Sequence, residues 1–446
     1  MRAADVEQSS LAARLDRLPV TSFHRQIVIR IGYIFFFELG DINSFAFAAP
    51  AIRAAWHVTI GTIAGITSAT FFGMFIGATG GGWFSDRVGR KRALIVTTMW
   101  YSACSLLNAF VWDTTSLFAA RFLTGVGLSA MTVVAVTYVS EMFPARARGT
   151  YQGKIMVVGL CGIPVTAYVA RMLVPAASWG WRAVFVWGSL GLLFPLLARS
   201  LEESPRWFEN HGRLAEAEDT LSRIEARARQ EVGALPPIPP AGPARAPRPG
   251  GFNQLVSAGY LGRVVLLIGV WTCQTLGFYG FMSWVPTLLA ERGFSIVHAL
   301  EQSSAISIGA VPGAWIASRI SDRWERKVLI ATVAVSVAAC GLIYGLSSTT
   351  ATIVIFGFLV AMLIQVFTPL VYAYTPECFP TEIRNTGTGM SYGVGRLGNT
   401  FGPLLVAYLF GHFGYLSVFV YIAVCWLLVA LLIAAFGPRT KGRSLV

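Results

Sequence analysis

Ionisable side chains lie inside long apolar runs, and four of them are placed to do chemistry. Glu38 and Asp41 interrupt the run 27–50, Arg121 the run 116–138, and Arg396 the run 389–411. A charge inside a bilayer costs a few kcal/mol or more, so such residues mark pathways, proton relays or counter-ions. A carboxylate whose partner changes with conformation can bind and release a proton. A guanidinium with no acid nearby wants an anion, and a carboxylate suits its forked donors. The chemistry is that of moving and neutralising charge.

Depth decides which of them can meet. Counted from Ile27, Asp41 lies about 21 Å along a helix rising about 1.5 Å per residue. Arg121, on a run entering from the other side near Ser116, lies about 22 Å from the same face of a core about 30 Å thick. An Asp41–Arg121 ion pair follows, either switching with conformation or static. Glu38, three residues back on the same face, is an alternative proton site or a partner for Arg30. Arg396 sits about 10 Å into its run, and no acid lies on the last three runs. A substrate carboxylate would satisfy it; snorkelling or a pair with Glu38 across a cavity are the alternatives. Trp271, Gln274, Phe278 and Tyr279, with Gln365, Tyr392 and Asn399, supply rings and amides for a flat acid.

The elements that must carry these residues are membrane helices. Of 446 residues 55% are hydrophobic and 13% charged, against about 25% charged in a soluble domain. Twelve runs of spanning length fall at 27–50, 62–84, 93–112, 116–138, 152–174, 182–200, 262–288, 299–319, 328–347, 351–373, 389–411 and 415–436. The expected fold is all-α, with six-helix bundles at 27–200 and 262–436, flanked by segments 1–26 and 437–446 and joined by a connection at 201–261. Helix breaks are expected around Pro164, Pro312 and Pro369. In the connection, Arg213 to Gln230 has helical charge spacing, and Gly233 to Gly251 reads as a proline- and glycine-rich linker.

Net charge is +13, and 28 of the 35 Lys and Arg fall at the termini and in the connections after even-numbered spans. The positive-inside rule therefore puts both termini in the cytoplasm, and the basic charge reports topology rather than nucleic-acid binding. Six cysteines read as packing residues. The first 26 residues show no apolar core of a cleaved signal.

The two halves repeat. Asp86, Arg87, Arg90 and Lys91 return 236 positions later as Asp322, Arg323, Arg326 and Lys327. Glu141, Phe143, Pro144 and Arg148 return at the same offset as Glu377, Phe379, Pro380 and Arg384. A cytoplasmic charge latch is expected from Asp86, Arg87, Arg90, Glu141, Arg148, Asp322, Arg323, Glu377 and Arg384. The alternative is a cluster that only sets topology.

These residues resemble the major facilitator superfamily: Gly82…Asp86-Arg87-Val88-Gly89-Arg90-Lys91, its echo after span eight, and Arg121-Phe122-Leu123-Thr124-Gly125. Glu203-Ser204-Pro205-Arg206 and Glu377-Cys378-Phe379-Pro380-Thr381-Glu382 are similar to the branch of sugar porters and organic ion transporters. Ala13-Arg14-Leu15-Asp16-Arg17-Leu18-Pro19 resembles bacterial niacin transporters. Glu38-Leu39-Gly40-Asp41 is similar to the D-G-x-D element of aromatic acid:proton symporters, with Glu in the first place. The resemblance implies proton-coupled import of a small organic anion, such as nicotinate or a hydroxybenzoate, through a monomer in a bacterial inner membrane. A sugar or cation facilitator or exporter and a non-transporting receptor are the rivals. No P-loop, metal-ligand spacing or nucleophile elbow is found, so no enzyme, cofactor or metal is expected.

Overall fold

A computed structural model describes residues 11–238, 259–320, 324–380 and 383–439. Among them every regular element is helical. A bilayer offers no water to backbone N–H and C=O groups, so a spanning segment must satisfy its own. The first six crossings are Ser22–Trp56, Ile60–Val88, Arg90–Asn108, Thr114–Met142, the pair Ala145–Leu160 and Gly162–Leu173, and Gly180–Gly188 continuing to Phe194–Ala198. The last six are Leu261–Met282, the pair Ile296–Ser307 and Ala310–Ile320, Arg326–Leu346, Thr350–Glu377, Arg384–Phe413 and Tyr415–Phe436. This is the expected twelve-span architecture in two sets of six. An even number of crossings puts both chain ends on one face, called here the terminal face.

Eight of these spans are apolar and long enough to cross a membrane on composition alone. The other four are the first, third, eighth and eleventh. They include the spans bearing Glu38, Asp41, Ser105 and Arg396. The first, third and eleventh thus carry candidate-site residues, and the eighth is divided into two short helices.

The repeat is visible in local geometry. The second span is capped by Thr59, which accepts from the Thr62 backbone, and the eighth by Ser295, which accepts from His298. The fourth is capped by Asp113, accepting from Ser116, and the tenth by Thr349, accepting from Thr352. Both pairs of caps keep the offset of 236, and each satisfies a backbone donor that a helix start leaves free. Within the first set, the second and fourth spans pack backbone to backbone through Gly73, Gly77 and Gly125.

Helix breaks follow two of the three prolines. The fifth span divides at Cys161 ahead of Pro164, and the eighth divides between Ser307 and Ala310 ahead of Pro312. The tenth runs unbroken through Pro369, which corrects the expectation of a break there. Proline removes a single ladder donor, and a helix held by packed neighbours on a buried face tolerates that loss. The seventh span stops at Met282, and a short helix, Val285–Glu291, follows at the face opposite the termini.

On the terminal face, helix Leu214–Val232 lies against the first set. Its inner residues Leu221, Ile224 and Ala228 join a core with Leu15, Leu18, Phe23 and Ile27. Arg14 and Arg17 both grip Glu225, and Arg25 pairs with Glu231.

Candidate functional site

Asp41 and Arg121 meet at the depth their positions predict. Arg121 Nη1 lies 3.4 Å from Asp41 Oδ2, and neither side chain is more than 1% exposed. Ser105 Oγ donates to Asp41 Oδ1 at 2.5 Å, and Ser44 Oγ lies 3.4 Å from the same oxygen. Gly188 of the sixth span passes so close to this carboxylate that any Cβ would collide with Oδ1 and with Ser105 Oγ. The guanidinium also faces the rings of Phe45 and Phe185, at 5.6 and 5.9 Å. The pair is closed over by four spans.

Glu38 is held differently. Thr132 Oγ1 of the fourth span donates to its Oε1 at 2.8 Å, while Oε2 is buried with no hydrogen-bond partner among the described residues. Arg30 is not its partner; that guanidinium donates to Gln26 Oε1 at 3.2 Å on the exposed surface.

Arg396 is half-buried, with its guanidinium 4.6 Å from the centroid of Tyr392 one turn away. Among the described residues it makes no hydrogen bond or ion pair. Tyr372 donates to the Tyr392 hydroxyl at 2.8 Å, and Trp271 sets its edge against both rings at 4.8 Å. Trp271 is in turn fixed by its Nε1 donating to Thr375. Tyr279 packs on Phe278 and, across the interface between the two sets, on Phe71 at 4.6 Å. Asn399 keeps a buried Oδ1 with no partner among the described residues. Gln274 is buried, its Oε1 accepting from Thr275 at 3.3 Å, and Gln365 is buried against Gly313. The structure thus brings Arg396, Tyr392 and Trp271 into one aromatic cluster, while Tyr279 packs on Phe278 and Phe71. Tyr372, which sequence reasoning missed, closes it; its only signal was its place on an apolar run.

On the terminal face, Arg90 donates to both oxygens of Glu141, the shortest at 2.8 Å, and to Asp86 Oδ1 at 2.6 Å. Its repeat mate Arg326 pairs with Glu377. The two glutamates are held by Arg90 and Arg326; Arg148 and Arg384, seven residues on, were expected in the same network. A residue seven on lies beyond the helix end, whereas Arg90 projects from the neighbouring third span. Arg148 Nε is buried without a partner among the described residues, and Arg384 Nε donates to the Phe379 carbonyl. Arg87 stacks on Trp83 at 4.1 Å instead of joining the network. Asp322 and Arg323 lie outside the described residues.

Glu203 has a role that its place in the Glu203-Ser204-Pro205-Arg206 motif did not reveal. Its carboxylate accepts from the Lys91 backbone N–H at 2.9 Å, capping the third span, and Trp207 Nε1 donates to the Asp86 carbonyl at 2.7 Å. Gly89 between them has φ +100°, where a side chain would be strained and would strike Glu203. The joining segment after span six is thereby bolted beneath the repeated motif.

Two ion pairs join the sets at the opposite face. Arg53 pairs with Glu291, and Arg171 with Glu301 at 2.7 Å. Between them and Arg121 lies a cavity of about 20 Å³ lined by Thr67, Phe71, Arg121 and Ser283.

Two six-span sets around a buried, charged and aromatic centre define a membrane solute transporter. The chain belongs to the sugar (and other) transporter family, whose pattern matches residues 26–446, within the major facilitator superfamily. YyaJ of Bacillus subtilis (strain 168), a protein assigned to metabolite transport, is 42% identical over 98% of this chain and 97% of its own. The niacin transporter NiaP of Acinetobacter baylyi is 30% identical over 98% of each. The partially occluded, inward-open xylose transporter XylE of E. coli superposes with a TM-score of 0.75 over 95% of this chain and all of its own, at 18% identity, a likeness of fold alone.

Proposed function

We propose that this transporter imports a small organic anion, an aromatic monocarboxylate such as nicotinate or a hydroxybenzoate, together with a proton, by alternating access in a bacterial inner membrane. The observation that carries this reading is Arg396, a cation facing an aromatic cluster with no hydrogen bond or ion pair among the described residues. A substrate carboxylate supplies the missing acceptor, and the rings of Tyr392, Trp271 and Tyr279 stack on its aromatic part. Gln274, Gln365 and Asn399 supply the remaining polar contacts. The niacin transporter among the relatives favours the same substrate class. Proton coupling rests with the first-span carboxylates, Asp41 with its partner Arg121, and Glu38. The charge network of Arg90, Glu141, Asp86, Arg326 and Glu377 latches the face that the basic residues place in the cytoplasm. The protein works as a monomer, because a central site in one chain needs no second copy.

A second reading, a sugar transporter, draws on the same buried amides, which suit hydroxyl groups. Proteoliposome uptake separates the two. Radiolabelled nicotinate should accumulate when the interior is alkaline, should exchange without a gradient, and should ignore excess xylose. Accumulation of xylose in place of nicotinate would reverse the assignment.

A further inference from the structure

A furrow opens on the outer wall of the first set, away from the central site. It encloses about 910 Å³ between the ends of the third and fifth spans and the start of the sixth. The sixth span packs against the first, third and fifth spans of its own set. The furrow is mostly apolar, with Phe110, Trp112, Trp179, Val186 and Leu190 in its lining and no acid. Trp112 is 79% exposed and Trp179 63%, so their rings have little protein against them.

Arg182 is the one charged residue of that lining. Its Nη1 donates to the carbonyls of Ala109 at 2.8 Å and Val111 at 2.6 Å, and its guanidinium stacks on Trp181 at 4.4 Å. Holding the end of the third span therefore uses one nitrogen of the fork. The N–H groups on Nε and Nη2 meet no acceptor among the described residues. The repeat shows that the fold does not demand a cation here: the position 236 after Arg182 is Val418, which is buried.

Depth separates the two ends of the furrow. Arg182 lies in the first turn of the sixth span, at the face opposite the termini. Leu190 is eight residues on, about 12 Å deeper into the bilayer. Tryptophan favours the membrane–water boundary, and Trp112 and Trp179 stand at the same end as Arg182. One end of the furrow thus meets headgroups and the other meets acyl chains.

We infer that the furrow binds one anionic phospholipid from the leaflet on the face opposite the termini. The phosphate accepts from the free donors of Arg182, whose fork suits two phosphate oxygens. An acyl chain lies along Val186 and Leu190. Lipid is the occupant because the furrow opens to the side at bilayer depth, where lipid is the solvent. A headgroup of net negative charge is favoured because no acid in the lining balances Arg182. The volume is in the range of about 300–1,000 Å³ found for ligand pockets.

The inner wall gives the site a consequence. Trp187 lines the furrow and donates to Thr166 at 3.0 Å, and the next residue, Gly188, is the one that meets the Asp41 carboxylate. From Ser189 to Leu193 the span winds as a 3-10 helix, whose hydrogen bonds are poorer than those of an α-helix. A chain in the furrow packs on the outside of that stretch. Binding therefore holds the sixth span over the buried pair and stabilises the folded protein.

The test is native mass spectrometry and thermal unfolding of the purified full-length protein in detergent, titrated with phosphatidylglycerol. The wild type should retain one phosphatidylglycerol more tightly than any further lipid, and its unfolding midpoint should rise. Val186→Trp fills the furrow and leaves the carbonyl bonds of Arg182 in place; it should lose that lipid and the rise. Arg182→Gln should bind the lipid about tenfold more weakly. Should that variant fold poorly for want of its bonds to the third span, Val186→Trp decides alone. Glycerol 3-phosphate, with the phosphate and no chain, should not displace the lipid, and phosphatidylcholine should be retained more weakly. Equal retention by wild type and Val186→Trp overturns the inference. So does displacement by glycerol 3-phosphate, which would make this a phosphate site, and so does equal retention of phosphatidylcholine, which would remove the role of Arg182. None of these readouts depends on which solute is carried.

Discussion

Asp41 and Arg121, eighty positions apart, face each other at 3.4 Å in a site closed to solvent. The first span runs up from the terminal face and the fourth runs down towards it, so their charges coincide only at this depth. Each charge exists there because the other does. Asp41→Asn leaves the Arg121 charge buried and uncompensated, a loss of about 3–5 kcal/mol for a broken buried pair. Thermal unfolding in detergent should show a much lowered midpoint, and adding Arg121→Gln should recover part of it. A midpoint equal to wild type in Asp41→Asn would show that the pair holds nothing together.

The terminal-face network predicts a graded series. Glu141→Gln weakens the two-oxygen grip on Arg90, which is 7% exposed, whereas Asp86 is mostly exposed and binds Arg90 through one oxygen. Glu141→Gln and Glu377→Gln should each slow nicotinate exchange more than Asp86→Asn does, because an exposed pair contributes little. Initial rates in proteoliposomes give the order; a larger effect of Asp86→Asn contradicts it.

At the opposite face, Glu291→Gln combined with Glu301→Gln removes the Arg53 and Arg171 ion pairs that join the two sets. Ser283 lines the small cavity beneath them. A cysteine introduced as Ser283→Cys should then react faster with a membrane-impermeant maleimide added from that face. Equal labelling rates with and without the glutamine substitutions would remove these pairs from gating.

The docked helix Leu214–Val232 gives a pH prediction. Burial works to raise the Glu225 carboxyl, but hydrogen bonds from Arg14 and Arg17 outweigh it and hold it below the usual range. The backbone N–H of Ser22 does the same for Glu231. A depressed folded value means the unfolded chain binds protons more readily. The contribution is therefore complete above the ordinary glutamate pKa of about 4.3 and fades as pH falls through the lower folded values. Hydrogen exchange in Leu214–Val232 should stay slow from neutral pH down to that range and rise steeply below it. Exchange that is insensitive to acid would place the anchoring elsewhere.

Much of the fold could be read from the chain because a bilayer leaves few options: length, hydropathy and basic bias give spans and order. The Asp41–Arg121 contact was legible because helix rise converts sequence position into depth. Rotation about each helix axis was not legible. That is why Tyr372 went unnoticed and why Arg326, the partner of Glu377, was left out of the expected latch. Sequence spacing describes one helix, while those pairs form between neighbouring spans. The repeat offset held the correction, since Arg90 and Glu141 both recur 236 positions on. Pro369 shows the same limit: whether a proline breaks a helix depends on what packs around it.

The central claim is that Arg396 selects an anion, and one comparison tests it most directly: the affinities of nicotinate and nicotinamide for wild type, Arg396→Lys and Arg396→Ala. A charge-assisted hydrogen bond contributes about 1.5–3 kcal/mol, so the alanine variant should bind nicotinate about tenfold to a hundredfold more weakly. Lysine should recover part of that loss, keeping the charge without the fork. Binding of nicotinamide should change little, so the wild-type preference for the acid should vanish in Arg396→Ala. The same acid-to-amide ratio in wild type and Arg396→Ala would contradict the account.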